Sequence, residues 1–185
     1  MINMKLVIAV TGASGIIYAE NFLKATKKHK IETHLIITES AKKVAKHENI
    51  KIEKFESLTN HHYDPNDLEA PISSGSYKID AMVIIPCSMK TVGALAHGYT
   101  ENLVTRAADV QLKEKRKLIL VPRETPLHAI HLENMAKLGQ NGVVILPAMP
   151  GFYHNPKTIG ELADFISGKI LDQLEIKNDQ FTRWT

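Results

Sequence analysis

Apolar residues follow two alternating rhythms along this chain. Apolar runs occupy residues 5–10 (KLVIAV), 33–37, 81–85, 117–121 and 142–146. Runs of this length without regular polar alternation predict strands buried on both faces. Between them, apolar positions return every three or four residues, the period of an amphipathic helix. This pattern predicts a helix over 14–28 on Ile16, Ile17, Ala19, Phe22, Leu23 and Ala25. Others run through Ala41, Val44 and Ala45, through Val92, Leu95 and Ala96, and over 101–113. The last two extend from Pro126 to Leu138, with the proline in the first turn, and over 158–174. Ile159, Leu162, Phe165, Ile166, Ile170 and Leu171 line one face of that final helix. Residues 47–80 are the least regular part, and both 60–65 (NHHYDP) and 71–76 (PISSGS) have loop composition. Five strands alternating with helices predict an α/β chain of three layers, a parallel sheet between two layers of helices.

The polar residues that follow the strands change the picture most. Thr11 and Ser14 follow the first strand, Thr38, Glu39 and Ser40 the second, and Ser88, Lys90 and Thr91 the third. Arg123 and Glu124 follow the fourth. In a parallel sheet these positions share one edge, where open α/β sheets bind ligands. Pro86, Pro122 and Pro147 stand at three strand ends and are expected to stop the pairing there. The turn after the first strand, Thr11-Gly12-Ala13-Ser14-Gly15, has two glycines three apart. They permit a sharp turn and a close backbone approach. The following helix would offer free N–H groups to a phosphate. The turn matches neither the dinucleotide fingerprint nor the P-loop, and a plain strand-to-helix turn has the same composition.

Charge and cysteine content narrow the function classes. The 185 residues carry 23 basic and 20 acidic side chains, a net charge of +3. That balance, with no basic stripe interleaved with aromatics, argues against nucleic acid. The run Lys113 to Lys117 reads as a solvated helix end. A lone cysteine, Cys87, rules out a disulfide within the chain and suits a reducing cytoplasm. No apolar run reaches the length of a membrane span, and the one after Lys5 is too short for a signal peptide.

Each candidate has a plain reading beside the chemical one. Ser88 to Thr91 would cradle an anion at a helix start, or serve as an ordinary cap with an exposed lysine. Arg123-Glu124 is a site pair or a surface ion pair. Glu39 could hold a ribose, although the glycine fingerprint is incomplete. Cys87 is an activated thiol or inert packing. His61-His62 and His128/His131 have no third ligand nearby in sequence, so no metal site is expected. Tyr153 and His154 lie in a Pro/Gly loop that could close over a crevice. Lys169 is either a snorkelling side chain or a phosphate ligand.

Together these residues resemble the flavin prenyltransferases of the UbiX type. The matching pieces are TGASG at 11–15, PISSGS at 71–76, PCSMKT at 86–91 and TRAADVQLKE at 105–114. RETPLH at 123–128, FYHNP at 152–156 and RW at 183–184 complete the set. The resemblance implies a flavodoxin-like, Rossmann-like sheet in a single domain over 1–185. The segment 157–185 would close the site or pack on a neighbouring subunit. It implies a cytoplasmic homo-oligomer, commonly a dodecamer, with FMN bound where subunits meet. The reaction would join a dimethylallyl group from dimethylallyl monophosphate to N5 and C6 of reduced FMN. The prenylated FMN would serve UbiD-type decarboxylases, and no metal would be needed. By the same resemblance Gly12, Ala13, Ser14, Thr38, Ser88, Met89, Lys90, Thr91 and Arg123 hold FMN. Lys113 of a neighbouring subunit, Arg123, Tyr153 and Lys169 hold the prenyl phosphate. Trp184 helps close the site, and Glu124 handles a proton near N5 with help from Ser14. Thr38 and Lys169 replace a serine and an arginine common in relatives.

Rival readings are an FMN-dependent cysteine decarboxylase-like protein, a non-catalytic FMN carrier and a nicotinamide oxidoreductase. The first would show a histidine in the first helix and a Pro-Ala-x-Asn loop. This chain has Tyr18 in that helix, no histidine before His29, and Pro86-Cys87-Ser88-Met89 as the loop.

Overall fold

The computed structural model describes residues 4–184. Six parallel strands form its sheet: β1 (Lys5–Val10), β2 (Glu32–Ile37), β3 (His61–Tyr63), β4 (Ala81–Cys87), β5 (Lys117–Pro122) and β6 (Val144–Ile145). Their spatial order is β3-β2-β1-β4-β5-β6. The chain builds outward from β1 in one direction, then returns to build outward from β4. The connections leaving β1 and β4 diverge to opposite faces, which opens a crevice between those two strands.

Helices α1 (Ile16–Lys28), α2 (Glu39–His47), α3 (Glu53–Glu56) and α7 (Ile159–Gln173) supply one face. There Leu6, Ile8 and Val10 of β1 join Phe22, Leu23, Phe55, Ile166 and Ile170 in one core. Helices α4 (Met89–Ala96), α5 (Leu103–Lys113) and α6 (Ala129–Gln140) lie on the other. Val7 and Ala9 pack there with Val92, Val104, Ala107 and Leu138. Successive side chains of one strand therefore feed two cores, which is why the strands read as continuous apolar runs. The tail folds back on α7 of its own chain, burying Ile176 and Phe181. Among the described residues no helix is long and apolar enough to cross a membrane.

Several expectations need correction. Residues 61–63 form edge strand β3, with His34 opposite His61 and Ile36 opposite Tyr63. The strand is too short and polar for pattern to reveal, and backbone pairing from one side sustains it. Pro86 does not end β4, which continues to Cys87 with a register shift between Ile84 and Cys87. The irregularity absorbs the missing N–H. Helix α6 begins at Ala129, after Pro126, with His128 extended at its cap. Helix α1 starts at Ile16 because Gly15 takes the left-handed φ of 101°. Strand β6 keeps two residues of its expected five, although Leu146 still donates its N–H to Leu120 at 2.8 Å. The apolar stripe of α7 runs past the core, leaving Ile159 69% exposed.

Candidate functional site

The crevice is held together by backbone bonds at the strand ends. Thr11 donates its N–H and its hydroxyl to the Pro86 carbonyl, at 3.2 and 2.9 Å. Its hydroxyl oxygen accepts the Ser88 N–H at 2.8 Å. The loops after β1 and β4 are thereby fixed against each other through a buried threonine. Thr38 donates to the Val10 carbonyl at 3.3 Å and caps α2 by accepting the Ala41 N–H. At Gly12 a Cβ would lie 2.5 Å from the Ser40 Cβ, so only glycine lets the β1 loop meet the start of α2.

Two clefts open from this frame. The first, of about 210 Å³, is lined by the hydroxyl residues Thr11, Thr38, Ser40, Ser88, Thr91 and Thr105, with Asn66 and Asn102. Ser88 caps α4, its Oγ accepting the Thr91 N–H at 3.4 Å. Both acids here are paired with lysines: Glu39 with Lys42 at 2.6 Å and Glu101 with Lys90 at 3.0 Å. A cleft of hydroxyls and first-turn amides with its carboxylates neutralised suits a phosphate. The Met89 side chain is buried in the core. Asn66, Asn102 and Thr105 escaped the sequence reading: Asn66 follows β3, a strand the pattern did not reveal, and Asn102 and Thr105 belong to the start of α5, which does not follow a strand. Asn102 and Thr105 form a capping box at the start of α5.

The second cleft, of about 280 Å³, is lined by Ser14, Gly15, Tyr18, Arg123, Glu124 and Met149, among others. Arg123 leaves β5 with its N–H bonded to the Cys87 carbonyl at 3.3 Å. Burial raises the pKa of the Tyr18 phenol, and the charge of Arg123 opposes that shift. The Glu124 carboxylate accepts the Thr125 N–H at 3.1 Å.

The start of α1 differs from expectation. Its amides are not free: Glu48 accepts the Gly15 and Ile16 N–H groups at 2.7 and 2.8 Å, and the Ser14 hydroxyl at 2.7 Å. A protein carboxylate therefore sits at the positive end of α1. The hydroxyl cleft, unlike the start of α1, has no carboxylate on its hydroxyls and suits an anion better. Glu48 stands beside the candidate site, and sequence reading missed it. It lies 33 positions from Gly15, and no local pattern links them.

The remaining candidates stand apart within one chain. Tyr153 meets Trp184 and Phe165 edge-on, with ring centres 5.4 and 5.9 Å apart. Lys169 lies 3.7 Å from Asp172, which also receives both ends of the Arg183 guanidinium at 2.6 and 2.7 Å. The Arg183 guanidinium above all holds the Asp172 carboxyl below the usual carboxylate range; burial opposes it, and Asn178 and Lys169 add to the lowering. Lys113 closes α5 at the opposite edge of the sheet, paired with Glu114 beside Gly75. Cys87 is fully buried, and burial pushes its thiol pKa upward, so it is packing rather than a nucleophile. His128 and His131 stack at 3.5 Å.

Comparison with known proteins agrees with this fold. The family model described as Flavoprotein matches residues 1–173. The flavin prenyltransferase UbiX of Methanothermobacter thermautotrophicus is 52% identical over 181 residues, covering 97% of this chain and 95% of the relative. A crystal structure described as a dodecameric FMN-dependent UbiX-like decarboxylase from Escherichia coli O157:H7 has a TM-score of 0.95 at 42% identity. It covers 98% of this chain and 100% of that one. AnUbiX (PadA1), crystallised with FMN and dimethylallyl pyrophosphate, has a TM-score of 0.96 at 39% identity, covering 99% and 98%.

Proposed function

The chain belongs to the flavoprotein family and, within it, to the UbiX-type flavin prenyltransferases, and on that premise we propose the reaction it performs. It joins a dimethylallyl group from dimethylallyl monophosphate to N5 and C6 of reduced FMN, without a metal. The product is prenylated FMN for a UbiD-type decarboxylase. The observation that carries this reading is the pair of clefts at the crevice. One is lined by hydroxyls with paired acids, and the other holds Ser14, Arg123 and Glu124.

Thr38, Ser88, Thr91 and the Met89 and Lys90 backbone would hold the FMN phosphate, with Gly12 and Ala13 supplying close backbone approach. Ser14 and Arg123 would meet the ring system in the second cleft. Reduced FMN supplies the two nucleophilic atoms, and the rest is the work of side chains. Allylic C–O cleavage leaves charge on the departing phosphate. Arg123, Lys113, Tyr153 and Lys169 would stabilise that charge more than the ground state. Glu124, helped by Ser14, would take the proton released from N5. Trp184 would exclude water.

Lys113 lies at the opposite sheet edge from the clefts, so it serves only across a subunit boundary. Exposed Met149, Phe152, Ile159 and Ile130 supply apolar surface for such contacts. We therefore propose a cytoplasmic homo-oligomer, a dodecamer, of single-domain subunits. Their segment 157–185 would pack toward a neighbour. The test is anaerobic incubation with reduced FMN and dimethylallyl monophosphate, followed by mass spectrometry of the released flavin. A gain of one isoprenyl unit is expected. Unmodified FMN from a protein that binds it would refute the transfer reaction, and absence of FMN binding would refute the site.

A further inference from the structure

At the other end of the sheet, a second group of side chains converges. Glu32 and His34 are two residues apart on β2 and so share a face. His61 of β3 is the register partner of His34. The His34 and His61 rings stack with centres 4.6 Å apart. Both present Nε2 to one carboxylate oxygen, Glu32 Oε1, at 3.3 and 3.7 Å. Among the described residues, these three form the one grouping of metal-ligating side chains whose ligand atoms all lie within 4.8 Å of one another. Thr38, in the flavin-type crevice, lies just beyond the end of β2, six residues and roughly 20 Å from Glu32 along the extended chain.

The distances distinguish two uses of the cluster. Good hydrogen bonds from a ring N–H to oxygen span about 2.7–3.2 Å; the His34 contact is a long hydrogen bond and the His61 contact lies beyond that range. A tetrahedral ion holding its ligands at about 2.0–2.1 Å keeps neighbouring ligand atoms roughly 3.4 Å apart, which these contacts bracket. The supporting shell also fits. His34 is fully buried, and its Nδ1 lies 3.0 Å from the Tyr63 hydroxyl. With the proton on Nδ1, donated to that hydroxyl, Nε2 is left as a lone pair facing Glu32. Metal-bound histidines are commonly oriented this way. Lys5 also contacts Glu32 Oε1, at 3.3 Å, from a half-buried position over the Tyr77 ring. Its flexible stem lets the ammonium move aside when a dication arrives.

We propose that Glu32, His34 and His61 form a site for a borderline divalent ion of the zinc class. Three protein ligands and one water complete a tetrahedron. The ion clamps the three-residue edge strand β3 to β2 and takes no part in the chemistry of the crevice. Nitrogen and carboxylate donors in this number favour Zn²⁺ or Co²⁺ over Ca²⁺ and Mg²⁺, which take more oxygen ligands.

The experiment strips the full-length protein with a chelator and titrates Co²⁺, reading the intense visible d–d band of a four-coordinate ion. Zn²⁺ then competes the band away. One ion per chain is expected. His61→Ala and Glu32→Gln should weaken binding at least tenfold, while His128→Ala binds like wild type. Zn²⁺ should raise the melting temperature of wild type and leave that of His61→Ala unchanged. Retained FMN binding shows that each variant is folded. Absence of stoichiometric Co²⁺ binding, or equal binding by His61→Ala and wild type, would overturn the proposal.

Discussion

Glu48 offers the most direct test of how the crevice is built. Its carboxylate accepts three hydrogen bonds at 2.7–2.8 Å, two from first-turn amides of α1 and one from Ser14. Removing a side chain that caps a helix start costs about 0.5–2 kcal/mol. Loss of a negative charge from that end adds about 0.3–1 kcal/mol. The freed amides are only part-buried and can turn to water, which rules out the larger cost of a sealed donor. Glu48→Ala should therefore loosen the start of α1 by about 2 kcal/mol. Glu48→Gln, which keeps one acceptor and loses the charge, should cost about half as much. The rest of α1 is held by buried Ile16, Ala19, Phe22 and Leu23, so the effect should stay local. Amide hydrogen exchange by mass spectrometry reads it directly. A peptide covering residues 11–22 should exchange roughly 30-fold faster at its first helical turn in Glu48→Ala. A peptide from α5 should not change. Wild-type exchange at Gly15 and Ile16 in both variants would refute the claim that Glu48 holds this turn.

Three other outcomes follow from the same geometry. Gly12→Ala should destabilise the protein by about 1–3 kcal/mol through overlap with Ser40, as measured by urea unfolding at fixed protomer concentration. Adding Ser40→Gly should restore most of the loss, and failure to do so would place the strain elsewhere. Glu124→Gln should lower prenyl transfer by about 10²–10⁴-fold while leaving FMN affinity within about twofold; undiminished turnover would remove Glu124 from the reaction. Arg183 depresses the Asp172 pKa, so this pair stabilises the tail fully above the ordinary value of 3.8. That stability is lost as pH falls through the lowered folded value. The fluorescence of Trp184, the sole tryptophan, should be flat from about pH 5 to 8 and change only below about 4. Asp172→Asn should show the low-pH signal throughout.

Sequence by itself determined the strands β1, β2, β4 and β5 to within a residue or two at each end, and the polar residues at their C-terminal ends. Both are written in local order: an apolar run buries on two faces wherever it lies, and the residues after it must emerge at the same edge. Gly12 was legible for the same reason, although its true neighbour, Ser40, was not. Tertiary structure alone decided which distant residues meet. It brought Glu48 to the start of α1 and replaced an expected open anion site with a filled one. It paired His61 with His34 and gathered Glu32 beside both, a grouping that spacing did not show. It set Lys113 at the far edge from the crevice, paired with Glu114. These outcomes depend on strand order and register, and both are fixed by packing between segments whose separation along the chain carries no periodic signal.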